Sequence, residues 1–389
     1  MGDVVTIRSI ATRIEETSGH ASGFDYMRLA LASAILLIHT ALVCHGLLAN
    51  EAIYTGPARP LARLILPAFF ALSGFLVAGS LQRSRTLFMF LGLRALRIIP
   101  GLAGLTVFSA FILGPLVTDL TLRDYFGNAA LRHYLLTAIG DVQFYLPGTF
   151  QNNPLPEVVN GQLWTIPFEL YSYIVISVLA LLGLHRYHIL APLSVVTLTL
   201  VYLFVTLARH HWVVMFVPGS INGALLIATS LAGVSLYLYR DLVPWSFSLF
   251  LGAFLLACVS VSYLPFGDFL APFPAAYATI YLGLLNPDRR FLHGADYSYG
   301  VYLYGFSVQQ AMVYALTIAH EEIMIATLSV PMVLCIAGLS WHLIEKPAHK
   351  LRHLLKKIEY IWLFSKASYP IQGTALLRPP DDPSFQRRD

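Results

Sequence analysis

Charge is scarce in this sequence. Only 12% of its 389 residues are Asp, Glu, Lys or Arg, roughly half the share of an ordinary soluble domain. Apolar stripes of helical period with polar faces between them, the mark of a soluble all-α protein, are absent. Cysteine is rare as well. Cys44, Cys258 and Cys335 all fall inside apolar blocks, so they give no disulfide framework and no metal-type spacing. They read as small apolar packing residues, and no metal is expected. Zincin, nucleophile-elbow, Walker A and dinucleotide signatures are missing, as are internal repeats and low-complexity runs.

What the sequence has in quantity is long apolar blocks, with 57% of residues hydrophobic. A bilayer core of roughly 30 Å needs about 20 helical residues to cross, and ten blocks approach that length. Their approximate limits are 29–49, 63–81, 98–117, 162–182, 189–207, 221–238, 246–262, 269–285, 297–316 and 323–343. The block at 269–285 is the weakest, because it contains Pro272 and Pro274. The expected fold is therefore an all-α integral membrane protein, a bundle of about ten transmembrane helices. The division is a cytoplasmic segment 1–28, a membrane domain 29–347 and a cytoplasmic tail 348–389, polar, Pro-rich and disordered from about Ser368. The first block is longer than a signal h-region and no small-residue cleavage site follows it cleanly, so it is expected to be retained. With the N-terminus inside, 20 of the 25 Lys and Arg residues fall on the cytoplasmic side, and both termini are placed there by the positive-inside rule. The exceptions are Arg59, Arg63, Arg123, Arg132 and Arg209. The same bias explains the net charge of +4 without a nucleic-acid partner. The longest external segment, about 118–161, is amphipathic and aromatic and is expected at the outer interface.

Ionisable groups within apolar blocks are costly and point to function. Arg28 opens the first block, and His39 lies eleven residues further on, about 16 Å deeper on the same helical face. The functional reading is an anion anchor below a general base. The structural one is a topology charge and an interhelical hydrogen bond. Glu169 follows Pro167 in the fourth block, where a carboxylate is either paired or protonated; it suits proton transfer beside His39 or a structural pair with an Arg or Tyr. Arg94 and Arg97 share one face at spacing i, i+3. With Arg83 and Arg85 nearby they make either a seat for the phosphates of a cytosolic cofactor or ordinary positive-inside charge. His210 and His211, and His320 with Glu321 and Glu322, read as solvated loop groups.

These residues resemble the motifs of the acyltransferase 3 family of bacterial membrane acyltransferases. Phe24 to Arg28 followed by His39 is similar to that family's opening Arg…His motif, and Phe69 to Phe75 to its second-span signature. Arg94 to Pro100 resembles its Arg-x-x-Arg motif, Trp164 to Glu169 its Trp…Glu segment, Ser298 to Leu303 its Ser-Tyr-Gly-x-Tyr-Leu stretch, and Glu345 to Pro347 its closing Glu-x-Pro. Together the six cover roughly residues 24–347. The resemblance implies a multi-pass protein of the bacterial inner membrane. It implies transfer of an acyl group, commonly acetyl, from cytoplasmic acyl-CoA to a hydroxyl of an envelope or exported glycan or lipid-linked sugar. Typical acceptors are O-antigen, exopolysaccharide, peptidoglycan, nodulation factors or macrolides. It implies catalytic roles for Arg28 and His39 and donor binding for Arg94 and Arg97. Many members carry a His where this chain has Gly305, so the role of that His is missing or taken by another group. The tail is too short for the soluble esterase-like domain of some members. The alternative function is a proton-coupled transporter or flippase, with His39 and Glu169 as a proton relay.

Overall fold

A computed structural model describes residues 8–17, 19, 21–209, 221–264, 266–287, 295–316 and 321–367. His210, His211, Arg289, Arg290, His320 and the tail from Ser368 lie outside the described residues. Among the described residues the chain is helical, with three isolated bridges and no strand. That suits a lipid solvent, where a helix satisfies its own backbone and an open sheet edge does not.

A short helix, α1 (Ile10–Glu16), precedes α2 (Gly23–His45). Gly46, at φ 78°, turns the chain into α3 (Leu47–Thr55), followed by α4 (Arg59–Arg83) and α5 (Leu87–Phe108). The last continues through a π turn at Ser109–Leu113 to Val117. After segment 118–160, the 3₁₀ turn Gly161–Thr165 leads into α6 (Ile166–Leu181). There follow α7 (Leu190–Arg209), α8 (Gly223–Leu238), α9 (Phe247–Tyr263), α10 (Pro272–Gly283) and α11 (Ser298–Ala315). Then α12 (Glu322–Ser340) passes through a second π turn, Trp341–Glu345, and a short helix towards α13 (Arg352–Ala367).

Six of the described helical stretches are long and apolar enough to cross a membrane: 23–45, 59–83, 87–117, 161–181, 190–208 and 322–361. The protein is thus a multi-pass helical membrane protein. Each of the ten expected blocks overlaps a helix, but four of these helices fall outside that set. Two are apolar and shorter, α8 with 16 residues and α9 with 17. The proline-initiated α10 has 12 residues. The 18 residues of α11 include Ser307, Gln309 and Gln310, all buried, and are polar because they face protein.

The bundle is centred on α4 and α8, which pack more extensively than any other pair. Their backbones touch through small residues. A Cβ on Gly74 would stand 1.9 Å from the Ser230 carbonyl oxygen, and one on Gly233 would stand 2.2 Å from that of Ala71. In lipid, where burial of apolar surface drives little, such close approach is what holds helices together. Segment 118–161 folds over the far end of α5 as a cap with its own core of Tyr125, Tyr134, Leu146, Phe150 and Val159. The Tyr125 hydroxyl donates to the Ala110 carbonyl in the π turn (2.9 Å). Polar side chains of α11 fasten the returning part of this cap. Asn153 donates to the Gln310 side chain (2.8 Å), and Gln310 donates to the Leu155 and Val158 carbonyls (2.9 and 2.8 Å). On its other face Gln309 donates to Thr40 of α2 (2.7 Å).

Candidate active site

Four helices converge on one region because α11 is bonded to all of the other three. Through Gln309 it holds α2, which carries Arg28 and His39. The Tyr299 hydroxyl donates to the Ile98 carbonyl (2.9 Å), fixing α5 with Arg94 and Arg97. The Tyr302 hydroxyl donates to the Gln162 carbonyl (2.6 Å), fixing the 3₁₀ turn that leads into α6 and Glu169.

Arg28, Arg94, Arg97 and Glu169 line a single cavity, with Phe69 and Phe70 of α4 and Ile98 of α5 on its apolar side. The two arginines expected as a pair open onto the same space but reach different partners. Arg97 Nη2 donates to Asp296 Oδ2 (2.6 Å), and its guanidinium lies 5.2 Å from the Tyr299 ring centroid. Arg94 Nη2 reaches the Ser80 hydroxyl at 3.3 Å, and its Nε is buried without a hydrogen-bond partner. Arg28 joins the same carboxylate, Nη1 to Asp296 Oδ2 at 2.8 Å, with Asp25 at 3.7 Å. Arg83 and Arg85 do not line the cavity.

Asp296 thus bridges two arginines from different helices with one oxygen. With the other it accepts from Ser298 Oγ (2.5 Å) and Ser298 N (3.3 Å) at the start of α11. Burial opposes its charge, but the Arg97 and Arg28 guanidiniums and the Ser298 bonds prevail. They hold the carboxyl well below the usual carboxylate range. Sequence reasoning missed it. The available signal was an acidic residue just ahead of the Ser298 helix start, where negative charge is favoured by the helix N-terminus.

His39 lines a neighbouring, smaller cavity, together with Tyr54, Gln162 and Trp164. Its ring meets that of Phe306 edge-on, centroids 5.4 Å apart. Glu169 is not brought onto His39. Its Oε1 accepts from the Tyr173 hydroxyl (2.5 Å), one helical turn on, and it lines the arginine cavity. Arg28 and His39, expected on one face of α2, open into these two different cavities. The cavities share three wall residues, Leu66, Thr165 and Tyr302. At Gly305 a Cβ would stand 2.7 Å from Leu36 Cδ1, so a larger side chain there would have to displace Leu36 of α2.

An acyltransferase domain model, that of the acyltransferase 3 family, matches residues 22–342. The chain belongs to the acyltransferase 3 family. Every residue of the two cavities lies within the match. Two curated relatives are similar along nearly their whole length. An O-acetyl transferase of Shigella phage Sf6 is 26% identical over 339 residues, covering 83% of this chain and 94% of that protein. Nodulation protein 10 of Rhizobium leguminosarum bv. viciae is 27% identical over 369 residues, covering 87% and 96%. No solved structure matches. Membership of the acyltransferase 3 family makes the protein an enzyme of acyl transfer, in place of a transporter or flippase without acyl-transfer chemistry.

Proposed function

We propose that this enzyme moves an acetyl group from cytoplasmic acyl-CoA to a hydroxyl of an envelope or exported glycan or a lipid-linked sugar. We place it in the bacterial inner membrane. The observation that carries this reading is the arginine-lined cavity abutting the chamber that holds His39. Likeness to a protein named O-acetyl transferase supports acetyl as the group and oxygen as the acceptor atom.

In this reading Arg94 and Arg97, with Arg28 beside them, hold the phosphates of the donor. Guanidiniums suit that task through their planar, multi-donor fork. Asp296 leaves most of the N–H groups of Arg28 and Arg97 available, because it takes one contact from each. Glu169 acts from this donor side, keeping Tyr173 in place. The acceptor hydroxyl enters the His39 chamber, and the imidazole takes its proton as the oxygen attacks the thioester carbonyl. A carbon–oxygen bond forms, the carbon–sulfur bond breaks, and the proton held by His39 passes to the departing thiolate.

The test is acetyl-CoA turnover by the purified protein in nanodiscs. Loss of a charge-assisted contact costs about 1.5–3 kcal/mol. Arg97→Ala is therefore expected to raise the apparent acetyl-CoA constant roughly 10- to 150-fold, with Lys restoring it in part. A folded Arg97→Ala protein with an unchanged constant refutes the assignment of the donor site.

A further inference from the structure

Of the three residues common to both cavities, two are bonded to each other. Thr165 Oγ1 lies 2.7 Å from the Tyr302 hydroxyl. The direction of that bond follows from counting protons. A phenol has one, and Tyr302 donates its own to the Gln162 carbonyl at 2.6 Å, so Thr165 is the donor to Tyr302. The phenol is held twice by one 3₁₀ turn, through Gln162 and Thr165. That turn is tied back to α11 by Gln162 Nε2 donating to the Leu303 carbonyl (2.6 Å). Tyr302 stands, doubly restrained, on the wall between the arginines and His39.

We propose that the Thr165–Tyr302 pair is the partition between the donor cavity and the His39 chamber. Tyr302 is a positioning residue that must turn aside for an acyl thioester to meet the imidazole. Its purpose rests on the acyl-transfer reading, but its geometry does not. An activated thioester beside an imidazole and water is hydrolysed, and a closed site prevents that loss. Breaking the Thr165 bond leaves the ring held by one contact instead of two. A neutral hydrogen bond is worth a factor of about 2 to 12 in population.

The experiment is thiol accessibility at position 39. A His39→Cys variant, in a background with Cys44, Cys258 and Cys335 replaced, is exposed to a membrane-impermeant maleimide in right-side-out and in inverted vesicles. Labelling through one face only is expected. Adding Thr165→Val should raise labelling from the opposite face about 2- to 12-fold, and Tyr302→Ala should open both faces fully. Equal labelling from both faces before either addition, or no gain with both, overturns the partition. A second readout uses intact His39: release of free CoA from acetyl-CoA with no acceptor present. Thr165→Val should raise this leak by a similar factor, and an unchanged leak counts against the partition. If labelling behaves as stated but no form of the protein turns over acetyl-CoA, the acyl-transfer reading falls and the partition stands. If acetyl-CoA is turned over and labelling does not respond, the partition alone falls.

Discussion

At the scale of single residues, the lining of the candidate site was legible in the sequence where a side chain is out of keeping with lipid. Arg28, His39, Arg94, Arg97 and Glu169 all drew notice in that way, and all five line one or other of two adjoining cavities. What the sequence did not disclose is who holds whom. Asp296 lies some 200 residues or more from both of its arginines, and no local spacing predicts such a pairing. It forms two ion pairs with partners about one quarter exposed. Removing it with Asp296→Ala should therefore lower stability by about 1.5–3 kcal/mol, less than the loss of a fully buried pair, with Asn retaining part of it. The pH dependence has a definite sign. A carboxyl held below its ordinary value contributes fully above that value, near 4, and loses its contribution as the pH falls through the lower folded one. The difference between Asp296→Ala and the parent should accordingly be flat between about pH 5 and 8; thermal unfolding in detergent across that range reads it, and a difference that shrinks on going from pH 8 to 5 contradicts the pairing. For His39 the expectation is kinetic. Loss of a general base costs about 10²- to 10⁴-fold in rate, so His39→Gln, which keeps hydrogen bonding without basicity, should insert normally and acylate at that reduced level. Acylation at the parent rate would return His39 to a packing role against Phe306.

At the scale of elements, the apolar blocks announced the helices, and their junctions went unannounced. Two π turns, Ser109–Leu113 and Trp341–Glu345, have no sequence signature, because an extra residue in a turn leaves composition untouched. The block at 162–182 begins as a 3₁₀ turn, which is what places Thr165 and Gln162 against Tyr302. Segment 118–161 was expected as an amphipathic interface segment; the structure shows its inward face covering the end of α5. Sequence spacing also left the α4–α8 contact hidden, although Gly74 lies inside a recognised motif. That contact gives a sharp contrast among glycines. Gly74→Val forces a side chain into the Ser230 carbonyl, and overpacking of that kind costs about 1–3 kcal/mol or more. Gly252 in α9 and Gly338 in α12 have nothing within 4 Å of a Cβ. Alanine at either should be neutral or add about 0.4–1 kcal/mol by restricting the unfolded chain. Thermal melts of the three variants in one detergent decide it, and a Gly74→Val protein as stable as its parent would deny the close packing of α4 on α8.

At the scale of the whole molecule, the class of solvent was the easiest property to read, since 20-residue averages are insensitive to detail. The orientation was read from loop charge, and the structure changes the weight of some of those charges. Arg59 and Arg63, counted as outside loop residues, are buried at 8% and 2% exposure, and Arg63 donates twice to Asp268 at 2.9 Å. They bear on packing more than on topology. A different argument for sidedness comes from α5 and its continuation. This stretch of 31 residues rises about 46 Å, well beyond a core of roughly 30 Å, so both of its ends emerge. Arg94 and Arg97 lie near its first end, and the cap around Tyr125 and Phe150 sits on its last. If the arginines face the cytoplasm, the exposed Asn152 of the cap faces the opposite compartment. In intact cells of a cysteine-free background, an impermeant thiol reagent should then label Asn152→Cys. It should leave Arg85→Cys, on the loop before α5, untouched until the membrane is permeabilised. The reverse pattern would turn the molecule over and place the arginine cavity away from any cytoplasmic donor.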